Sequence, residues 1–432
     1  MTKILPFSAL IFNQDKNKNL SKVVCPPYDV ISPADQKYYL EADPHNFIHV
    51  LFRKDSSIED KYKASAECFR DWIKEEVLVQ DKSPAIYFYS HQYKIKGETK
   101  VRLGFISLLR LPERSAGVFG HEHTRTGPKE DRFKLLRQVK ANLSPIFAIF
   151  ADNKRVIQRL YRQHIQNKEP FIEVTDRDKC VHKIWRLDSP EQIDLIQSGM
   201  EDENIFIADG HHRYEVACNY REEMRQKLGK LTGDESFNYV LAYFTNTDLR
   251  GLTILPIHRL VKMETKFDLE NFKANIKDYF DIEEIKDKTR FFFLLEKCGN
   301  SEHVLGMYKD KKFWLLRLKN VKMLDKVISD KPKESRSLDV SILNYLILRN
   351  AFGFKLEEID NHENLTFSND AEKFIEEVDA NSKYVAFFLN PVKMQQIISV
   401  ALNGNKMPAK STFFYPKVLS GLLIHKFKED KE

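Results

Sequence analysis

Short apolar runs separated by amphipathic stretches set the rhythm of this 432-residue chain. Phe7, Ala9 and Ile11 alternate and predict an N-terminal strand, while the paired prolines of Cys25-Pro26-Pro27-Tyr28-Asp29 exclude a helix interior and force a turn. Ser32 then reads as a cap, with Pro33 in the first helical position. Tyr62, Ala66, Phe69, Trp72 and Ile73 recur at helical spacing. Ala85–Tyr89 and Val101–Ile106 predict an antiparallel pair around a turn at Gly97. Pro128 is expected to open a helix buried through Phe133, Leu135, Leu136 and Val139, followed by a strand at Ile146–Phe150 and a charged helix within 152–170. Phe171–Val174 and His182–Leu187 read as strands, and Ser189-Pro190 caps a further helix.

The run Ile205-Phe206-Ile207-Ala208 suits an inner strand, and Val216, Ala217, Tyr220 and Met224 return to helical spacing directly after it. Tyr239–Phe244 and Leu252–Leu260 predict two more strands. Residues 265–335, rich in Lys, Glu and Phe, read as an α+β insertion with its own core. A helix from Leu338, a strand at Val385–Leu389, a helix over Lys393–Leu402 and a final strand at Leu419–Ile424 complete the pattern. The fold class expected is α/β with mixed sheets, in segments 1–150, 151–262, 263–335 and 336–432.

A hydrophobic share of 42% beside 31% charged residues excludes a disordered chain. No apolar run approaches membrane-spanning length and Met1–Pro6 lacks the apolar core of a signal peptide, which places the protein in the cytoplasm without a membrane partner. Five scattered cysteines with no Cys-x-x-Cys pair argue against a disulfide framework and a zinc knuckle. The net charge of +6 fits an anionic ligand and is too modest to argue for nucleic acid.

Chemistry concentrates where the apolar strand meets the helix, at Asp209-Gly210-His211-His212-Arg213. The first N–H groups of a helix lack internal partners and carry partial positive charge, so a phosphate fits there. Arg213 and the two imidazoles add donors, and Asp209 offers a carboxylate to a metal, a hydroxyl or an amine, or serves only as a cap. A second candidate is His121-Glu122-His123-Thr124-Arg125 with Lys129, Asp131 and Arg132. As acid–base apparatus, Glu122 accepts the proton of a substrate hydroxyl while His123 and Arg125 face phosphate oxygens. A metal site there would need a third ligand from His211 or His212 and lacks zinc-type spacing, so the metal is left unassigned. Lys129, Asp131 and Arg132 also suit a surface ion-pair set. The third candidate is Lys410-Ser411-Thr412 in a proline-flanked loop, with Lys417 close by. Tyr28 and Asp29 suit a pocket wall or an elbow, and His258 and Arg259 a pocket rim or structural roles.

The stretches Val23–Ile31, His121–Thr124 with Pro128–Arg132, Asp209–Ala217 and Met407–Lys417, in this order, resemble a widespread microbial family of unknown function. Through its Asp-Gly-His-His-Arg element that family is linked to the free-serine kinases of the ParB/sulfiredoxin-like superfamily, in which a Gly-x-x-Arg turn holds nucleotide phosphates. The resemblance implies a ParB/sulfiredoxin-like central region, with N- and C-terminal segments around one cleft. Sulfinic-acid reduction would need a cysteine directly after the motif glycine, where this chain has His211, and no DNA-reading helix follows. What remains is phosphoryl transfer from ATP or ADP, with Mg²⁺, to a small hydroxylated metabolite, the implied acceptor being free L-serine. In that reading Glu122, Asp209 and His212 are catalytic. Gly210, His211, His212, Arg213, Arg125, Lys129, Arg132, Lys410, Ser411 and Thr412 hold the nucleotide, and Tyr28, Asp29, His123, His258 and Arg259 face the amino acid. A homodimer is compatible with it. The alternative is a nucleotide- or phosphometabolite-binding regulator without turnover.

Overall fold

Lys96 and Gly97 both take positive φ, 48° and 82°, the pair of left-handed conformations that a two-residue hairpin turn demands. Around them the computed structural model builds its longest ladder. The structure describes residues 2–53, 60–113, 117–229, 231–248, 250–265, 267–361 and 363–428. Contacts divide the chain into two units, the first comprising Met1–Gly120, Thr124–Thr253 and Pro416–Glu432, the second His121–His123 and Ile254–Tyr415.

The first unit is built on a nine-stranded mixed sheet. Its strands are β1 (Ile4–Leu5), β2 (Ile86–Ile95), β3 (Glu98–Arg110), β4 (Val118–Gly120), β5 (Ile146–Phe150), β6 (Ile172–Thr175), β7 (Val181–Leu187), β8 (Ile205–Asp209) and β9 (Tyr239–Asn246). The order is β4-β8-β5-β9-β3-β2-β7-β6, with β1 beside β3. β4–β8 and β5–β9 are parallel, the other pairs antiparallel. The continuous apolar runs of β5 and β9 are explained by burial on both faces. One face carries Phe88, Phe105, Ala148, Ile207 and Phe244, packed against Val156–Leu160 and Pro190–Met200. A separate layer, in which the Tyr62, Ala66, Phe69 and Trp72 stripe is buried, packs with Leu135, Val139 and Ile424.

Pro190–Met200 delivers the chain to β8, and its first turn is closed by a reciprocal cap between Ser189 and Gln192. Ser189→Ala should therefore cost about 1 kcal/mol, read as a lower denaturation midpoint with unchanged slope.

The second unit has a six-stranded sheet, all antiparallel: β10 (His258–Lys262), β11 (Phe280–Ile285), β12 (Val304–Lys309), β13 (Lys312–Leu318), β14 (Leu365–Ser368) and β15 (Tyr384–Phe388). Their order is β11-β13-β12-β15-β10-β14. Phe291, Leu295, Phe374 and Val378, from two helices, pack on Leu315, Ala386 and Phe388.

Three local expectations change. The helix expected at Pro128 starts at Thr126, so the proline sits in its third position, where its missing N–H still leaves no bond unmade. The charged segment 152–170 forms a short helix, Val156–Leu160, that widens into a π-helical turn, Tyr161–Ile165. The apolar run Leu419–Ile424 is buried without being a strand, because Gly421 breaks it at φ 88°. Only Ser420 and Ile424 pair there, with Cys25 and Leu10. Among the described residues no helix is long and apolar enough to cross a membrane.

Candidate functional site

β8 ends in a register shift against β5 between Ile207 and Asp209, a bulge that re-aims the last side chain of the strand. Gly210 follows at φ 86°, ψ 30°, and helix α2 (His211–Leu228) starts at once. Only glycine fits: a Cβ here would lie 2.9 Å from Cζ and Nε of Arg213. The turn folds Arg213 back on Asp209, with Nη2 donating to Oδ2 at 2.7 Å and Nη1 donating to the Pro145 carbonyl. Lys417 donates to the other oxygen, Oδ1. The three side chains are only 10–12% exposed. Burial pushes the Asp209 carboxyl up, but Lys417, then Arg213 and more weakly His211 outweigh it and hold the group well below the usual carboxylate range. Asp209 is therefore ionised at neutral pH and neutralises one of two fixed cations. The planar fork expected to point at phosphate is largely committed to Asp209 and Pro145.

α1 (Thr126–Val139) lies beside α2, and the link preceding it reaches the same turn. The Arg125 N–H donates to His212 Nε2 at 2.9 Å, which places the ring proton on Nδ1, 3.4 Å from the Tyr28 hydroxyl. Thr124 Oγ1 (2.6 Å) and Lys129 Nζ (3.0 Å) both donate to Glu215 on α2. Arg132 stacks over the Tyr28 ring at 4.5 Å and pairs with Asp131, which also takes Lys61 and the Tyr62 hydroxyl. Burial opposes ionisation of Asp131, yet Arg132, Tyr62 and Lys61 bring it down to about 2. Burial and then Asp29 push the Tyr28 phenol well up, against Arg213 and Arg132. Asp29 itself keeps one buried oxygen, Oδ1, without a hydrogen-bond partner.

A second cluster forms within the other unit. His121–His123 bridges to Met407 in parallel: Met407 N–H donates to the His121 carbonyl at 2.7 Å and His123 N–H to the Met407 carbonyl at 3.2 Å. Glu122 Oε1 accepts the Lys410 N–H at 2.9 Å, and His121 Nε2 lies 3.1 Å from Thr412 Oγ1. Lys410 sits at φ 59°, and its carbonyl accepts from Arg259 Nη2 at 2.8 Å. Ser411 Oγ donates to the Pro408 carbonyl. Arg259 is pushed down to about 9 by burial, Glu122 opposing. His258 is pushed down to about 4 by burial, and its Nδ1 accepts the Leu389 N–H at 3.2 Å, a position inside the strand packing.

The predicted residues thus fall into two sets. Tyr28, Asp29, Arg125, Lys129, Arg132 and the Asp209–Arg213 turn belong to the first unit; Glu122, His123, His258, Arg259 and Lys410–Thr412 belong to the second. Thr124 carries no signal beyond its place in a polar loop, and Glu215 and the Pro145 carbonyl have none of their own, since a helical glutamate and a strand-entry proline are common everywhere. Lys417 carried a weak signal, a lysine after Pro416.

Elsewhere, His91, Asp176 and Cys180 bring ligand atoms within 4.8 Å of one another. Arg102 Nη2, at 3.0 Å, donates to His91 Nδ1 and so leaves the ring proton on Nε2, and its own charge stands beside the group. Neither feature favours a cation.

A family profile described as protein of unknown function (DUF1015) matches residues 4–341. No curated protein matches the chain. Among solved structures, a free serine kinase mutant in complex with ADP is similar at 13% identity and a TM-score of 0.33, over 74% of this chain and 92% of that one. SbnI with a C-terminal truncation from Staphylococcus aureus is similar at 11% identity and 0.37, over 74% and 86%. A conserved hypothetical protein from Pyrococcus furiosus is similar at 14% and 0.31, over 70% and 89%.

Proposed function

The chain belongs to the DUF1015 family of proteins of unknown function, and we propose that its Asp209–Arg213 turn holds nucleotide phosphates for phosphoryl transfer to a small hydroxylated metabolite. The acceptor named by the sequence resemblance is free L-serine, with O-phosphoserine as product and ATP or ADP as donor. One observation carries the reading. Arg213 and Lys417 are fixed by a single shared carboxylate immediately ahead of an 18-residue helix, so two cations are held in place at the end where the helix is itself positive. A phosphate there gains from both, and from an arrangement that needs no reorganisation when charge develops.

In the transfer, the acceptor hydroxyl oxygen bonds to the terminal phosphorus, the bond to the nucleotide oxygen breaks, and the hydroxyl proton passes to a base. Asp209 suits that last task poorly: both oxygens are bonded to cations and the group is held far from accepting a proton at neutral pH. Its part is to position Arg213 and Lys417. The other carboxylate expected from the sequence for this task is Glu122, and Glu122→Gln tests that role directly. The same occupancy means that the turn does not fit Mg²⁺ as a ligand set, so no step is routed through the ion.

The experiment is incubation of the full chain with ATP or ADP and an amino-acid pool, followed by mass spectrometry. A new O-phosphoserine, lost in Glu122→Gln, is expected. Absence of any phosphorylated product with every donor, with calorimetric binding of ADP intact, would instead support a nucleotide-binding regulator, the reading that the locked state of Asp209 favours.

A further inference from the structure

Arg132 and Arg213 each leave one guanidinium nitrogen buried and without a hydrogen-bond partner, Nη1 in the first and Nε in the second. Their side chains are 9% and 12% exposed, and both line the same cavity of about 60 Å³. An unpaired buried donor is costly, and a charged one more so. The other two nitrogens of each fork have partners: Nε and Nη2 of Arg132 donate to Asp131, Nη1 and Nη2 of Arg213 to Pro145 and Asp209. Neither arginine owns its carboxylate, because Asp131 is shared with Lys61 and Asp209 with Lys417. Both arginines line the cavity, and none of the carboxylates they pair with does.

We propose that the cavity is a subsite for the carboxylate of a small organic acid, its oxygens on Arg132 Nη1 and Arg213 Nε. The volume admits about four to five water-sized centres, the size of a three- or four-carbon acid. The other walls decide the class. Leu51, Leu135, Leu136, Leu143, Val216 and Val240 offer no donors, and the polar residues of the wall are engaged elsewhere, Tyr28 with His212, Asn142 with the Leu241 N–H and Ser144 with Ser420, so inorganic phosphate, polar on every side, would leave oxygens against hydrocarbon. A carboxylate gathers its oxygens at one end and lays carbon against those walls. Combined with the phosphotransfer reading, on which this step alone rests, the subsite makes the phosphoryl acceptor a small hydroxy acid.

The test is calorimetry on the full chain without nucleotide, with lactate, acetate and inorganic phosphate as probes. Lactate should bind more tightly than phosphate. Arg132→Gln should weaken it at least ~10-fold by removing one donor. Val240→Ile, which adds a methyl group to the apolar wall and leaves both arginines in place, should weaken it similarly at an unchanged thermal midpoint. The proposal is overturned if no carboxylate gives heat, if phosphate is preferred, or if both variants bind lactate as the native chain does. Lactate binding in a protein that makes no phosphorylated product would remove the phosphotransfer reading and keep the subsite; product without lactate binding would do the reverse.

Discussion

Asp209→Asn is expected to cost about 3–5 kcal/mol of stability, because it strands two buried cations rather than deleting one weak contact. Arg213 and Lys417 would face each other at 12% and 10% exposure with their shared counter-charge gone. The pH dependence gives an independent readout. The folded carboxyl lies well below its ordinary 3.8, so the unfolded chain takes up this proton first. The stabilisation is complete above the ordinary value and is lost as the pH falls below 3.8 towards the depressed folded one. Urea midpoints of the native chain and of the variant should differ most at about pH 7, and the difference should begin to shrink below 3.8 and narrow progressively towards the depressed folded value. Equal midpoints at neutral pH would show that the clamp contributes nothing.

Replacing Gly210 by alanine should be nearly as damaging to function as to stability. At φ 86° a side chain adds about 1–3 kcal/mol of backbone strain. The new methyl would also lie 2.9 Å from the centre of the Arg213 guanidinium, which must move off Asp209. Displacements of that size commonly cost about 10²-fold in a positioned site, and a drop of that order is expected in ADP affinity, read by calorimetry. Gly127→Ala is the control, since a Cβ there meets nothing within 4 Å and its φ is ordinary. Similar losses in the two variants would show that the Gly210 effect is not local.

Much of the fold could be read directly from the chain. The run Ile205–Ala208, the glycine and the helical spacing after it give a strand, a left-handed turn and a helix, and the structure has all three. The hairpin at Gly97 and the buried stripe from Tyr62 to Trp72 were equally legible. These features follow from local rules: side-chain period, capping and the residues that tolerate positive φ. The run Leu419–Ile424 shows where such rules stop, since apolarity reports burial and not pairing, and Gly421 removed the strand.

The candidate residues were visible by type, but their partners were not. Nothing local says that the Arg213 fork closes on Asp209 and Pro145, or that a lysine 208 positions away takes the other carboxylate oxygen. Nor does any pattern announce that Glu122 binds the Lys410 backbone, 288 positions on, while Thr124, two residues after it, binds Glu215 in the other unit. By itself the sequence determined most of the strands and helices, the glycine turn and the kinds of groups available. Tertiary structure alone decided which charges share a carboxylate and which donors are left over. The reason is that secondary structure is set by neighbours a few residues apart, whereas a buried ion pair is chosen by sheet register and by the path of distant segments.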